Sequence, residues 1–205
     1  MPQPRAVVLA GGRSRRFGSN KVWANFQSKP MIVTLIDTLR SCGFSISISG
    51  PPSTLSSLGY PVIPDHLPHE GPLCALQRVL EQLPDAHVLL AAVDMPALHP
   101  DVVKLLWSRR AHAQIVGLED SDGRPHPLPA VYSRRILPTV STLVAAGERR
   151  LGAVLRHPEL QTEKLQAPHW QVLDPRGQTL RNINTPEALA NLETLPPLGM
   201  TLESV

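Results

Sequence analysis

His87-Val88-Leu89-Leu90-Ala91-Ala92-Val93 runs directly into Asp94-Met95-Pro96. A short apolar run closed by turn residues reads as a strand buried on both faces. Upstream of it, Gly71-Pro72 opens a helix that carries Leu73, Leu76, Leu80 and Leu83 on one side. Downstream, a helix spans about Pro100 to Arg110 and a strand follows at Gln114 to Leu118. Farther out, Ala6-Val7-Val8-Leu9 is a second buried strand, ended by Gly11-Gly12. Pro30 sits at the first turn of a helix with Ile32, Leu35, Ile36 and Leu39 at helical spacing, ending near Gly43. Ser45-Ile46-Ser47-Ile48-Ser49 alternates with period two and reads as the next strand, and Tyr60 to Asp65 as a short strand and turn. Strands alternating with helices predict an α/β chain, with a mostly parallel sheet and helices on both faces.

The second half is less regular. Asp120 to Pro125 is a turn, and Leu128 to Tyr132 a strand whose Pro129 suggests a sheet edge. Arg134 to Ala146 reads as a helix and Leu180 to Asn184 as a strand. Thr185-Pro186-Glu187 then reads as helix cap, first helical residue and first-turn acid. Residues 1–194 are expected to form a single domain and 195–205 a flexible tail.

Composition narrows the function. The 205 residues are 42% hydrophobic, enough for an ordinary core, and carry a net charge of only +3. Aromatics are 4%, too few for the stacking platforms of single-stranded nucleic-acid binders. Positive charge is concentrated instead: Arg13, Arg15, Arg16 and Lys21 fall close together, which favours a small phosphate-bearing molecule over a long polyanion. Cys42 and Cys74 make no metal or disulfide pattern and read as structural thiols. No apolar run reaches the ~20 residues of a membrane span and no cleavage pattern opens the chain, so no membrane contact is expected and the cytoplasm is the default expectation; no nucleic-acid partner is expected either.

Ligands of such folds bind beyond the carboxyl ends of the strands. The loop from Gly11 and Gly12 to Lys21, Asp65 and Asp94 all stand there. Glycines after a strand let backbone N–H groups approach phosphate oxygens, and the basic residues, Arg16 and Lys21 among them, meet the charge of a leaving pyrophosphate. The loop is neither a Walker A nor a GxGxxG motif. Asp94 is placed to hold Mg²⁺ against triphosphate oxygens. Asp65 reads equally as a ligand contact and as a turn residue. Asn182 and Asn184 face one side of an extended segment, either toward a ligand or toward solvent. His126 lies in Arg124-Pro125-His126-Pro127-Leu128, where a substrate contact and a plain core or surface histidine are both open. His66 and His69 read as loop residues.

Together these segments resemble the molybdenum cofactor guanylyltransferases of the nucleotidyltransferase superfamily. The resemblance rests on Leu9-Ala10-Gly11-Gly12-Arg13-Ser14-Arg15-Arg16-Phe17-Gly18 with Lys21, on Asp65 and Gly71-Pro72-Leu73, and on Asp94-Met95-Pro96. It continues through Arg124 to Ala130 and Asn182-Ile183-Asn184-Thr185-Pro186-Glu187. It implies a Rossmann-like three-layer sandwich and an Mg²⁺-dependent enzyme. That enzyme would transfer GMP from GTP to the terminal phosphate of molybdenum-bearing molybdopterin, releasing pyrophosphate. By position, Leu9, Ala10, Gly11, Gly12, Lys21, Ser49, Asp65 and Asp94 would contact the nucleotide. Arg16, Lys21 and Asp94 would act in catalysis, with Asp94 on the metal. His126, Asn182 and Asn184 would face the pterin. Other cofactor-biosynthesis proteins and molybdoenzyme acceptors are implied as partners. Two positions depart from the family pattern: Asn20 replaces an Asp before the lysine, and Ser49-Gly50 stands where an Asn is offered to the base. The alternatives are a molybdopterin cytidylyltransferase, a sugar-1-phosphate nucleotidyltransferase and a non-catalytic carrier of nucleotide or pterin.

Overall fold

The structure is a computed structural model that describes residues 3–11, 21–65 and 70–193. In chain order its first elements are β1 (Arg5–Leu9), β2 (Asn25–Phe26), β3 (Lys29–Pro30), α1 (Met31–Ser41), β4 (Ser45–Ser49), α2 (Pro52–Leu55), β5 (Val62–Ile63) and α3 (Pro72–Gln82). There follow β6 (His87–Ala92), α4 (Pro100–Ser108), β7 (Ile115–Glu119), β8 (Pro125–Ser133), α5 (Leu137–Ala145), β9 (Thr162–Leu165), α6 (Ala167–Gln171) and α7 (Pro186–Glu193).

Seven strands form one sheet in the order β5-β4-β1-β6-β8-β7-β9, while β2 and β3 make a separate small hairpin. All neighbouring pairs in the large sheet are parallel except those made by β8, which runs against both β6 and β7. Period-two alternation sorts the side chains between two cores. Ala6, Val8, Ile46, Ile48, Leu89 and Ala91 meet Leu35 and Leu39 of α1 and Val102, Val103 and Leu106 of α4 on one face. Val7, Leu9, Val88 and Leu90 meet Leu73, Leu76 and Leu80 of α3 and Val140 of α5 on the other. Both faces are covered, so the apolar runs of β1 and β6 are continuous in sequence. Each fully buried Val, Leu or Ile among them contributes about 1.5–3 kcal/mol. Ser47 and Ser49 of β4 are buried as well, so the serine-isoleucine alternation marks the two faces without a solvent side.

The helix starts follow their sequence signals. Pro72 opens α3 after Gly71, whose φ is +98°. His99 precedes Pro100 and its ring Nδ1 accepts from Asp101 N at 3.3 Å. Thr185 precedes Pro186, and its Oγ1 accepts from Ala188 N at 3.2 Å.

Two expectations are corrected. The strand containing Pro129 lies inside the sheet, between β6 and β7. Only Ala130 to Ser133 pair with β6, and the pairing with β7 shifts register between Val116 and Leu118. Pro127 and Pro129 fall in that gap, where a missing N–H breaks no ladder bond. The Tyr132 hydroxyl spans the gap and donates to Pro127 O at 2.6 Å. Its phenol is fully buried, which pushes its pKa up. Leu180 to Asn184 is not a strand: Gln178–Leu180 forms a short 3₁₀ turn and the residues after it are extended without a sheet partner. Alternation marks extended chain, and pairing needs a free edge as well. The expected tail at 195–205 and His66 and His69 lie outside the described residues. Among the described residues, no helix is long and apolar enough to cross a membrane.

Candidate functional site

Four adjacent parallel strands end along one edge of the sheet, and each releases a residue of interest. Beyond β5 comes Asp65, beyond β4 Gly50, beyond β1 Ala10 and Gly11, and beyond β6 Asp94. The β1 turn is pinned by neighbours on both sides. Ala10 N donates to Ser49 O at 2.8 Å, and Val93 N donates to Leu9 O at 3.0 Å. Leu9 and Ala10 are buried, so Gly11 is the first residue of the loop to emerge. Space there is short: a Cβ on Gly11 would lie 3.0 Å from Asp65 Oδ2. Gly50, at φ +151°, stands behind the turn, and a Cβ there would lie 3.1 Å from Gly11 N and 3.2 Å from the Ala10 carbonyl carbon. Gly12 and Arg16 lie outside the described residues, as does Asn20.

Lys21 opens a short 3₁₀ turn, Lys21–Trp23, and its ammonium joins two distant segments. Nζ donates to Asp94 Oδ2 at 3.2 Å and to Asn184 Oδ1 at 2.9 Å. The Lys21 side chain is 12% exposed and that of Asp94 23%, so the ion pair is partly shielded from solvent yet open on one side. The extended segment is tied to the same place by its backbone, since Ile183 N donates to Asp94 O at 2.8 Å. Asn182 and Asn184 are both exposed while Ile183 between them is buried, which keeps the period-two geometry without a sheet.

His126 starts on the other side of β6. Because β8 is reversed, its first residues stand at the carboxyl edge of the parallel strands. Val131 pairs with both Leu89 and Val116, and after the register shift His126 pairs with Leu118, which sets His126 level with the end of β6. The His126 ring Nε2 lies 3.0 Å from Asp120 Oδ2. The other carboxylate oxygen, Oδ1, accepts from the backbone N of Asp122 and of Arg124, both at 2.9 Å. The Asp120 carboxyl is held below its ordinary range, first by the hydrogen bond from His126 and then by the Arg124 N–H. Gly117 opposes this segment, where a Cβ would stand 3.1 Å from His126 O.

The structure thus unites Lys21, Asp94 and Asn184 through direct bonds and sets Gly11 beside Asp65. The Ser49 side chain is 1% exposed, and its carbonyl already holds Ala10. Sequence reading missed Gly50, Asp120 and Ile183. Gly50 carried the signal of a glycine directly after a strand, and Asp120 that of an acid opening a hairpin turn. Ile183 carried none, because its partner Asp94 is remote in sequence. Burial pushes the thiols of Cys42 and Cys74 up, in line with structural roles.

The chain matches the MobA-like NTP transferase domain over residues 6–164. A protein of Deinococcus radiodurans named "Probable molybdenum cofactor guanylyltransferase" is 34% identical over 192 residues, spanning 91% of this chain and 92% of its own. One of the same name from Mycobacterium tuberculosis (strain ATCC 25618 / H37Rv) is 37% identical over 157 residues, 73% of this chain and 77% of its own. Among solved structures, molybdopterin-guanine dinucleotide biosynthesis protein A from Archaeoglobus fulgidus shares the fold, with a TM-score of 0.79 at 22% identity over 93% of this chain and 97% of its own. With the glycine turn, the lysine and the strand-end carboxylates on one sheet edge, the chain belongs to the MobA-like NTP transferase family.

Proposed function

We propose that this protein transfers GMP from GTP to the terminal phosphate of molybdopterin that already carries molybdenum. An oxygen of the acceptor phosphate attacks the α-phosphorus of GTP. The bond from that phosphorus to the bridging oxygen breaks, and pyrophosphate leaves. The observation that carries the reading is the single ammonium of Lys21 held between Asp94 and Asn184, where the Gly11 turn emerges. Such a reaction needs positioning and charge stabilisation more than a covalent nucleophile.

In this reading Leu9, Ala10 and Gly11 line the nucleotide, and Gly12 and Arg16 are assigned to the phosphates from the sequence alone. Asp65 lies across the turn from them. Lys21 meets the charge that grows on the departing pyrophosphate. Asn182, Asn184 and His126 take the acceptor side, with Asp120 fixing the His126 ring. Ser49 supports the turn through its backbone, because its side chain has no open face.

The side chains at this edge suit a divalent cation that arrives with phosphate ligands. Among the described residues no group of three or more His, Cys, Asp or Glu converges, so no all-protein metal cage is built. Mg²⁺ takes one or two carboxylates and completes its shell with phosphates and water, and Asp94 with the amide oxygen of Asn184 fits that demand. Asp94 would hold it; when bound it supplies charge neutralisation on the phosphate oxygens. The cation would therefore come with the nucleotide.

Pyrophosphate release measured over GTP, CTP and ATP, with and without molybdopterin and Mg²⁺, tests the proposal. Turnover is expected only with GTP, molybdopterin and the cation together, and Asp94→Asn should lower it by about 100-fold. Turnover with CTP and none with GTP would establish a cytidylyltransferase. Turnover with a sugar phosphate alone would establish a sugar nucleotidyltransferase, and nucleotide binding without turnover a carrier.

A further inference from the structure

Ile183 is 1% exposed, although it stands between two exposed asparagines. With Phe26, Met31 and Ala97 it forms a third buried apolar cluster, separate from the cores on the two faces of the sheet, with Ala24 and Leu189 packed against it. Its contributors come from the segments that bear the site. Ala24 follows the turn opened by Lys21, with Ala24 N donating to Lys21 O at 3.1 Å and Met31 N to Ala24 O at 2.8 Å. Ala97 belongs to the loop that starts at Asp94, and Ile183 adjoins Asn184. A second tie runs beside the first: His99 N donates to Thr179 Oγ1 at 3.2 Å, and Thr179 N donates to the buried Asp174 Oδ2 at 2.7 Å. Three segments remote in sequence therefore meet in one apolar cluster that holds Ile183, and their polar ends meet at Lys21 Nζ.

We infer that Ile183 is a positioning residue for the transfer reaction, an inference that rests on the roles proposed above for Lys21, Asp94 and Asn184. It sets their mutual spacing from beneath, by filling the volume that the three segments share. Interiors are close-packed, so removing that volume lets the segments shift. A misplacement of about 1 Å in reacting groups costs on the order of 100-fold in rate. The turn that receives the nucleotide is built by β1 and β4 and does not draw on this cluster.

Ile183→Ala is compared with Ile136→Ala, the same deletion in the core under α3 and α5, close to the opposite edge of the sheet. Ile183→Ala should lower kcat for pyrophosphate release by about 10-fold or more, with KM for GTP little changed. Ile136→Ala should lower Tm comparably and keep kcat within about twofold. Should Ile183→Ala fail to fold, Ile183→Val against Ile136→Val decides the matter, with about a threefold loss of kcat expected for the first alone. Wild-type kcat in the Ile183 variants, or an equal loss in the Ile136 variants, overturns the inference. If the wild-type protein shows no turnover with GTP and molybdopterin, the proposed function fails, and the inference is read from binding. Binding of Mn²⁺ alone should then weaken about 10-fold in Ile183→Ala and not in Ile136→Ala, while GTP affinity is unchanged; equal Mn²⁺ affinities in the two variants overturn it.

Discussion

Gly50→Ala should damage the nucleotide turn from behind. The residue has φ +151°, in a region that side chains enter at a cost of about 1–3 kcal/mol. The added Cβ would also lie 2.9 Å from Leu55 Cδ1, 3.1 Å from Gly11 N and 3.2 Å from the Ala10 carbonyl carbon. Leu55 is fully buried, and Ala10 is bonded to Ser49 O, so neither neighbour yields freely. Overpacking of this kind adds about 1–3 kcal/mol, which gives a total of about 2–6 kcal/mol. Part of that strain relaxes by pushing Ala10 and Gly11 outward, so nucleotide affinity should fall by about 10-fold, or about 1.4 kcal/mol. Gly59→Ala is the control. Its φ is +74° and nothing lies within 4 Å of its Cβ, so only the left-handed backbone cost of about 1–2 kcal/mol remains and binding stays unchanged. Urea unfolding measures the stabilities and isothermal titration with Mg²⁺ and GTP the affinities. The reasoning is refuted if Gly50→Ala loses no more stability than Gly59→Ala and binds GTP normally.

Two further outcomes are expected. Lys21→Met removes the internal counterion of Asp94, so Mn²⁺ alone should bind more tightly while pyrophosphate release falls by about 100-fold or more; unchanged or weaker Mn²⁺ binding would contradict the pairing. Glu148 accepts from Arg150 and from the backbone of Arg149 and Arg150, which pushes its pKa down to about 2, the Arg150 side chain being the largest cause. A depressed carboxyl stabilises the fold above its unfolded value of about 4.3 and loses that contribution as pH falls through the folded value. Carbon-detected NMR titration of Glu148 should place its midpoint near 2, and an ordinary midpoint would show that the Arg149 loop against Gly71 is held by other means.

How far the chain can be read without coordinates depends on the element. His87 to Val93 and Ala6 to Leu9 were legible because a strand covered on both faces must be apolar throughout. Asp94 was legible because it ends such a strand. Pro129 misled, because a proline usually marks an edge, and here a register shift opposite Gly117 frees interior positions from ladder bonds. The extended run around Ile183 was seen as regular but assigned to the wrong structure, since alternation does not name a partner. The convergence of Lys21 on both Asp94 and Asn184 is a property of tertiary contacts between opposite ends of the chain, and no local pattern announces it.

The reversed direction of β8 has a consequence for how the two halves of the site are built. A parallel strand can offer that edge only its finishing end, and its chain then departs into a helix that must cross back over the sheet. Under the proposed roles, the donor half, made by β1, β4, β5 and β6, is therefore bound to the geometry of those crossovers. β8 arrives at the edge by its starting end, through a hairpin of residues 120–124 that no crossover constrains. That hairpin is exposed at 121–124 and leads directly into Pro125 and His126. Lengthening or exchanging it alters the reach of the acceptor half without moving a helix. If His126 takes the acceptor as proposed, acceptor preference is the separable module of this architecture and nucleotide capture the fixed one.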